Sequence, residues 1–241
     1  MNELLLIGIG TGSPDHLTRA GAAAIREADA ILVPRKAAKD DLAELRLDLI
    51  REVRGDTLAV VPFDMPLRDT SAGYREGVED WHDRIAKAWV AALPGTANKV
   101  ALLVWGDPSL YDSTLRIADR LDPRPKIRVV PGITALQALT AAHAIPLNEV
   151  GAPVMITTGR RLRDQGWPEG TDTVAVFLDG ECSFRHLDPT GVTIWWGAFL
   201  SMENEVLAQG PLSEVSDYIQ GTREAARTAH GWIMDVYLLR R

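Results

Sequence analysis

Short apolar runs alternate with amphipathic segments over roughly the first 145 residues of the chain. The apolar runs are typical of buried strands, and the amphipathic segments have helical spacing. The predicted strands are 3–9, 30–34, 57–61, 99–104 and 127–130, and the predicted helices are 18–28, 39–53, 72–92, 110–121 and 133–143. This alternation predicts right-handed crossovers and a mainly parallel sheet with helices on both faces.

The pattern changes after about residue 146, where turns rich in Gly, Pro and Asp separate the apolar runs. Strands are predicted at 152–157, 173–178, 192–196, 204–208 and 232–239, with one clear helix at 211–220. We therefore predict an α/β protein of two domains, 1–146 and a smaller domain 147–241 with a mixed sheet. A ligand cleft is expected between the two domains.

Composition narrows the class of protein. The chain is 46% hydrophobic and 24% charged, as in ordinary globular proteins, and no apolar run reaches the length of a membrane span. Its single cysteine, Cys182, excludes an internal disulfide, and the five histidines lack metal-ligand spacing. We expect a cytoplasmic protein without a metal. The net charge of −7 argues against nucleic acid as a partner.

Basic residues are nevertheless concentrated in two segments. The first contains Arg35, Lys36, Lys39 and Arg46, and the second contains Arg160, Arg161 and Arg163. The residues alone leave two interpretations open, a solvated basic surface and a site for an anionic small molecule.

Three glycine-containing loops follow the first, fourth and fifth predicted strands, with the sequences GIGTGSP (8–14), VWGDPSLY (104–111) and PGITA (131–135). Open α/β sheets bind ligands at this carboxyl edge. The first loop has Ser13 where a dinucleotide fingerprint has its third glycine, and Pro14 follows. We therefore predict a ligand other than a dinucleotide. Gly106 lets a ligand approach the backbone, Asp107 offers a carboxylate, and Thr134 either caps its helix or points its hydroxyl into the cleft.

These motifs together resemble those of the tetrapyrrole methylases over nearly the full length of the chain. The similar segments are IGIGTGSPDHLT (7–18), WGDPSLY (105–111), PGITALQA (131–138), TTGRR (157–161) and QGPLSE (209–214). The resemblance implies two α/β domains, usual assembly as a homodimer, and methylation of a polycarboxylate tetrapyrrole by S-adenosylmethionine. The chain departs from many relatives at Thr11, Ser13 and Trp105.

Further segments are similar to one branch of this family. They are KAAKDDL (36–42), FDMPLRD (63–69) and GWIMDVYLLRR (231–241). This resemblance implies methylation of C-1 of precorrin-5 in the aerobic cobalamin pathway, with release of acetate.

The resemblance also implies which residues hold each ligand. For the methyl donor they are Gly10, Pro14, Gly106, Asp107, Leu110, Thr134, Ala135, Leu178, Asp179, Gly197 and Ala198, the last four near the adenine and ribose. For substrate carboxylates they are Arg35, Lys36, Lys39, Arg68, Arg160 and Arg161.

Acetate release requires water to add to a carbonyl, and hence a hydrogen-bonding or basic partner. Tyr111 and His82 are the candidates, with Asp64 and His143 as further ones. Each of three candidates also has a purely structural interpretation. His82 is equally consistent with a surface position on an amphipathic helix, and His143 with a favourable interaction with the dipole at a helix C-terminus. Tyr111 is consistent with packing behind its loop.

The residues leave three rival functions open. The chain could methylate another carbon of a precorrin or uroporphyrinogen. It could be an NADP-dependent reductase in which Arg35 binds the 2′-phosphate, or a donor-binding module without catalytic activity.

Overall fold

The fold is taken from a computed structural model that describes residues 1–35, 40–68 and 74–241. The chain forms two compact units, Met1–Thr134 and Ala135–Arg241. The sequence placed the boundary later, at residue 146. The difference arises because helix α5 (Ala135–Ala142) shares a hydrophobic core with the second unit, where Leu136 and Leu139 pack with Leu238.

Five parallel strands form the sheet of the first unit, in the order β3-β2-β4-β1-β5. The elements are β1 (Glu3–Gly8), α1 (Arg19–Glu27), β2 (Ala30–Arg35), α2 (Asp40–Arg54), β3 (Val60–Asp64), α3 (Tyr74–Ala92), β4 (Lys99–Val104), α4 (Thr114–Ala118) and β5 (Lys126–Val130). The register pairs Gly8 with Val104 and Ile7 with Val130, so the central strands end at one edge. The predicted parallel sheet is confirmed.

Both faces of this sheet are buried because its strands are apolar at consecutive positions. Leu4 and Leu6 of β1 share a core with Trp89 of α3. On the opposite face, Ile7 packs with Ile25 of α1. Helices therefore cover both faces, as the sequence predicted.

The second unit contains a mixed sheet in the order β6-β7-β10-β8-β9. Its elements after α5 are β6 (Val154–Thr158), α6 (Gly159–Gln165), β7 (Thr173–Phe177), β8 (Thr193–Ala198), β9 (Val206–Pro211), α7 (Leu212–His230) and β10 (Asp235–Arg240). Only β6 and β7 pair in parallel, and the remaining three pairings are antiparallel. The predicted two-domain α/β architecture with a mixed second sheet is confirmed.

Two cores line the faces of the second sheet. Trp196 of β8 and Tyr237 of β10 are buried with Ile219 of α7 on one side. On the other side, Ala175 of β7 packs with Leu139 of α5. These cores fix the strand ends whose loops carry candidate site residues.

Several elements of the structure differ from the prediction. Helix α4 is Thr114–Ala118 rather than 110–121, because Tyr111 has a left-handed φ of 50° that a continuing helix cannot contain. Strand β3 begins at Val60 rather than 57, since Leu58 is 91% exposed and the chain pairs only after it. Helix α6 was not predicted, because its seven residues are too short for a clear helical pattern.

Helix α7 extends from Leu212 to His230, well past the predicted end at 220. It continues because a further buried residue, Arg223, follows Ile219 one turn later, and it ends at Gly231 with a left-handed φ of 70°. Among the described residues, no helix combines the length and apolar character needed to cross a membrane.

Candidate active site

The first two glycine-containing loops are joined by backbone hydrogen bonds just beyond the ends of β1 and β4. The N–H of Gly106 donates to the carbonyl of Gly10 at 2.7 Å, and the N–H of Gly10 donates to the carbonyl of Gly106 at 3.3 Å. Both glycines have left-handed φ angles, 78° at Gly10 and 63° at Gly106. Glycine adopts this conformation without steric cost, so the two loops meet as bare backbone.

The third loop meets the first two where no side chain fits. A Cβ on Gly132 would lie 2.1 Å from the carbonyl oxygen of Gly106 and 2.7 Å from the carbonyl carbon of Gly8. A Cβ on Gly8 would lie 2.6 Å from the amide nitrogen of Gly132. The three loops therefore converge at one edge of the sheet. Sequence reasoning placed Gly8 and Gly132 in the loops but did not count them among the donor residues, although the Pro131-Gly132 dipeptide was the available signal.

The carboxylate of Asp107 connects the second loop to the third. Its Oδ1 accepts the N–H of Ser109 at 2.8 Å, and its Oδ2 accepts the N–H of Gly132 at 2.9 Å. Burial opposes ionisation of Asp107, but hydrogen bonds from Ser109 and Gly132 outweigh burial, so its pKa is lowered. The ionised carboxylate thus holds the loops together. Direct contact between Asp107 and the donor stays a prediction.

The first loop closes on itself through local contacts. Ser13 accepts the N–H of Asp15 at 3.2 Å and caps a short 3₁₀ helix, Pro14–His16. Thr11 Oγ1 lies 3.1 Å from His16 Nδ1. Ser13, which departs from the dinucleotide fingerprint, therefore begins a short 3₁₀ helix at this point of the loop.

Most left-handed residues other than glycine lie in the candidate loops or within four residues of them. Such residues are strained by about 1 to 3 kcal/mol each in many cases, and they cluster at ligand sites. In the part of the chain that the structure describes, they are Tyr111, Ala144, Leu178, Cys182, Phe199 and Ser201. All except Ala144 lie in loops that the sequence singled out or within a few residues of them.

The chemistry of the first-unit loops fits S-adenosylmethionine, the cofactor that the resemblance implies. Segments 8–16, 104–111 and 131–135 contain no Lys or Arg, so they offer no ammonium or guanidinium group to a phosphate. Their partly exposed positions include Gly106, Leu110 and Thr134. Bare glycine backbone, the carboxylate of Asp107 and the lack of Lys and Arg suit a nucleoside that carries a cationic sulfonium rather than a pyrophosphate. Among the described residues, no group of acidic, His or Cys side chains is arranged to hold a metal ion.

The predicted donor residues of the second unit lie at the ends of β7 and β8. Leu178 follows β7 with a side chain 68% exposed, whereas the Asp179 side chain next to it is buried. Gly197 and Ala198 end β8, and a Cβ on Gly197 would lie 2.6 Å from the Leu200 side chain. Their contact with adenine and ribose stays a prediction.

The predicted substrate-binding cations lie in different places. Lys36 and Lys39 are outside the described residues. Arg35 ends β2 and pairs with Asp64 at 3.1 Å, and both side chains are exposed. Arg68 is also exposed.

The second basic segment is the start of helix α6. Thr158 caps this helix, and Arg160 and Arg161 are exposed in its first turn. Arg161 donates to Gln165 Oε1 at 3.3 Å from Nη2. The two arginines therefore share one short helix, and a role in binding carboxylates stays a prediction for them.

Arg46 does not belong to an exposed basic surface, which corrects the grouping made from sequence. It is buried, donates from Nε to the Leu103 carbonyl at 3.1 Å, and lies 5.1 Å from the centre of the Trp105 ring. Burial lowers its pKa to about 10, although the charge of Asp112 opposes this effect. Arg46 therefore supports the end of β4, where Trp105 contacts it.

Of the candidate groups for acetate release, Tyr111 adjoins the converging loops. Its side chain is 42% exposed, five residues beyond Gly106. His143 instead bonds within the second unit, where its Nε2 lies 3.0 Å from the carbonyl oxygen of Trp196. Asp64 is exposed at the end of β3, paired with Arg35.

His82 is buried in α3, which overturns the expectation that it could lie on the surface. Its side chain is 2% exposed, and neither ring nitrogen has a hydrogen-bond partner among the described residues. Burial lowers its pKa, and Arg120 acts in the same direction. It lies about 12 Å along the axis of α3 from the first residue of this helix, Tyr74, because each of the eight intervening steps rises about 1.5 Å. Its part in catalysis stays a prediction.

Comparison with known proteins agrees with this geometry. Residues 3–216 match the family model described as Tetrapyrrole (Corrin/Porphyrin) Methylases. A precorrin-6A synthase [deacetylating] from Sinorhizobium sp. is 46% identical over 251 aligned positions, covering 100% of this chain and 96% of the relative. A precorrin-2 C(20)-methyltransferase from Sinorhizobium sp. is 27% identical over 68% of this chain and 70% of its own length.

Solved structures show the same architecture. The crystal structure of CobF from Corynebacterium diphtheriae, described as related to cobalamin synthesis, has a TM-score of 0.85 and 36% identity, covering 100% of this chain and 98% of that one. Uroporphyrin-III C-methyltransferase from Thermus thermophilus, complexed with S-adenosylhomocysteine, has a TM-score of 0.60 and 19% identity, covering 99% and 92%. The full-length matches, together with the three converging glycine loops, establish that the chain belongs to the tetrapyrrole methylase family.

Proposed function

We propose that this chain transfers a methyl group from S-adenosylmethionine to C-1 of precorrin-5 and releases acetate, giving precorrin-6A. The observation that carries the proposal is 46% identity to a precorrin-6A synthase over the whole chain. As a tetrapyrrole methylase, the chain is an S-adenosylmethionine-dependent C-methyltransferase. Methylation of another ring carbon is less well supported, because three relatives named for such reactions are 23% to 27% identical.

Specific observations disfavour a reductase and a non-catalytic module. A reductase is disfavoured because Ser13 and Pro14 interrupt the dinucleotide fingerprint in the first loop. The family is one of methylases rather than reductases. The chain is 46% identical over its whole length to a protein named as an enzyme. This similarity favours catalysis over a donor-binding module without activity.

Methyl transfer needs orientation more than functional groups. The bound donor supplies an electrophilic methyl group on its sulfonium. The converging loops hold bare backbone at Gly10 and Gly106 in fixed positions, through the Asp107 carboxylate and the reciprocal backbone bonds. A rigid frame of this kind aligns two reactants in line, and such alignment contributes several kcal/mol, up to about 7 to 11 kcal/mol in favourable cases.

Acetate release needs a hydrogen-bonding group at the acetyl carbonyl. Water adds to this carbon, and the carbon–carbon bond to the ring breaks with its electron pair left on the ring. The ring takes up one proton of the water, and acetate and the other proton depart. We assign the contact to Tyr111, whose exposed phenol lies beside the loop that begins at Gly106. His82 is the second candidate. A phenol donates to a developing oxyanion without first changing its charge.

The assay combines purified protein, precorrin-5 and donor labelled with ¹³C in the methyl group. We expect labelled precorrin-6A and one acetate for each methyl group transferred. Tyr111→Phe is expected to keep methyl transfer and to slow acetate release by about 10²- to 10⁴-fold, the range for general acid–base groups. His82→Gln, which changes the second candidate group, is compared with Tyr111→Phe in the same assay of methyl transfer and acetate release. Methylation of a different carbon, or none, would contradict the proposal.

We further propose that basic side chains bind the substrate carboxylates. Arg35, Arg68, Arg160 and Arg161 are exposed cations suited to bidentate pairing, and Lys36 and Lys39 belong to the same proposal from sequence. Lys36→Glu combined with Arg161→Glu is expected to weaken tetrapyrrole binding much more than donor binding. Equal losses for both ligands would argue against this role. Titration calorimetry measures both affinities.

We propose a homodimer as the assembly. The exposed edge strand β6 supports it, because Met155 is 41% exposed, Ile156 is 40% exposed and edge strands pair readily with other chains. Met155→Asp is expected to shift a dimer toward monomer in light scattering coupled to gel filtration. A wild-type monomer at assay concentration would reject the dimer.

We place the protein in the cytoplasm and in the aerobic branch of cobalamin synthesis, without a nucleic-acid or membrane partner. The Sinorhizobium relative is named for a precorrin, whereas the Methanocaldococcus jannaschii relative is named for a cobalt-precorrin. The net charge of −7 supports the exclusion of nucleic acid. Activity with metal-free precorrin-5 and not with its cobalt complex tests the branch, and cell fractionation tests the compartment.

A further inference from the structure

The loop after β7 is held in an unfavourable backbone conformation. Leu178 and Cys182, four residues apart, both have left-handed φ angles, 52° and 56°. The Leu178 side chain is nonetheless 68% exposed, so burial of that side chain does not explain its backbone conformation. Such a conformation persists only where surrounding contacts enforce it.

The buried carboxylate of Asp179 supplies the first set of contacts. Its Oδ1 accepts the N–H of Glu181 at 3.0 Å and the hydroxyl of Ser183 at 2.9 Å. Its Oδ2 accepts the N–H of Ser183 and the hydroxyl of Tyr237, both at 2.6 Å. Both oxygens are thus fully engaged, and the carboxylate fixes the turn that follows Leu178.

Arg223 of α7 supplies the second set. Its Nη2 donates to the carbonyl of Asp179 at 2.8 Å, and its Nη1 donates to the carbonyl of Gly180 at 3.3 Å. Its Nε pairs with Asp235 at 2.9 Å, and both of these side chains are only 8% exposed. Burial opposes the charge on Arg223, but the ion pair with Asp235 more than offsets burial, so the pKa of the guanidinium is raised.

Trp196 fixes the far end of this chain of contacts, because its Nε1 donates to Asp235 Oδ2 at 3.0 Å. The guanidinium is therefore anchored through Asp235 to groups outside the loop. A planar guanidinium anchored in this way can hold the carbonyls of Asp179 and Gly180 in one relative position. The ammonium group of a flexible lysine side chain cannot do so.

We propose that Arg223 is a positioning residue for the methyl donor, holding the backbone of residues 178–180 in the strained form that binds the donor's nucleoside. This inference rests on the proposed function and on the predicted contact of the Leu178–Asp179 segment with adenine and ribose. Because the loop is ordered before the donor arrives, binding does not bear the cost of ordering it. Tyr237 assists through Asp179.

The test compares three variants for S-adenosylhomocysteine affinity, KM for each substrate, kcat and melting temperature. Arg223→Lys keeps a cation beside Asp235 but loses the planar guanidinium. We expect about a tenfold rise in Kd for S-adenosylhomocysteine and in KM for the donor, which corresponds to about 1.4 kcal/mol. Tyr237→Phe removes one hydrogen bond to Asp179 without changing charge, while its ring still packs edge-on against Phe184. For this milder change we expect about a threefold rise.

Arg54→Lys is the matched control. Arg54 also donates to backbone carbonyls, those of Ile25 and Ala28 at 2.9 Å, but it lies in the first unit. We expect no change in Kd or KM for the donor in this variant, and none of the three should change KM for the tetrapyrrole.

The result that overturns the inference is wild-type donor affinity in Arg223→Lys, or equal losses of donor and tetrapyrrole affinity. If Arg223→Lys does not fold, Tyr237→Phe decides the question by the same two measurements. Failure of the proposed function is separate, since then the wild-type protein itself would not methylate precorrin-5.

Discussion

The convergence of three loops makes Gly132→Ala a sharp test of the candidate site. The added Cβ would lie 2.1 Å from the carbonyl oxygen of Gly106, although Cβ atoms in real structures stay at least 3.0 Å from such neighbours. The obstructing atoms are backbone, so no side chain can rotate away. Gly132 does not have a left-handed φ, so the substitution acts through the steric clash and not through backbone strain.

The magnitude follows from this geometry. The Gly106 carbonyl must move by about 0.9 Å relative to Gly132 to restore a contact of 3.0 Å. Overpacking of this kind costs about 1 to 3 kcal/mol of stability, which is a fall of several degrees in melting temperature for a chain of this size. A displacement of about 1 Å in a site that works by alignment costs on the order of 100-fold in rate. We expect donor affinity and kcat to fall together.

Calorimetric titration with S-adenosylhomocysteine and thermal unfolding measure the two effects. Gly221→Ala is the control, because Gly221 lies in helix α7 with no atom within 4 Å of an added Cβ. This variant is expected to be more stable by about 0.5 to 1 kcal/mol with unchanged donor binding. Wild-type donor affinity in Gly132→Ala would refute the inference that the loops form one site.

Two further predictions follow from buried titratable groups. Burial lowers the pKa of His82, so the folded state binds fewer protons than the unfolded state between the lowered pKa and about 6.5. The contribution of neutral His82 to the free energy of unfolding is therefore fully present above about pH 6.5, and it falls below that pH by up to about 1.4 kcal/mol per pH unit. Urea unfolding of His82→Leu should show a weaker dependence of stability on pH. Burial raises the pKa of the Cys182 thiol to about 11, so a thiol reagent at about pH 8 should react with it only as fast as the second unit opens. Rapid labelling of the native protein would contradict this expectation.

The sequence by itself determined the features that depend on short-range pattern. Alternating apolar runs and helical stripes predicted the parallel sheet of the first unit, because strand and helix periodicities are local properties. The three glycine loops were also predicted at the carboxyl ends of β1, β4 and β5, since parallel strands bring these ends to one edge. Motifs in these loops identified the family, which the full-length match then established.

Only the tertiary structure decided which polar groups act within the protein and which are exposed to solvent. A local pattern does not distinguish Arg46, buried against Trp105, from Arg161, exposed on α6. It likewise did not show that the carboxylate of Asp107 holds Gly132, or that Arg223 holds the backbone beyond Leu178. These contacts join residues separated by 25 or more positions, and burial in the assembled core, rather than neighbouring sequence, determines their partners.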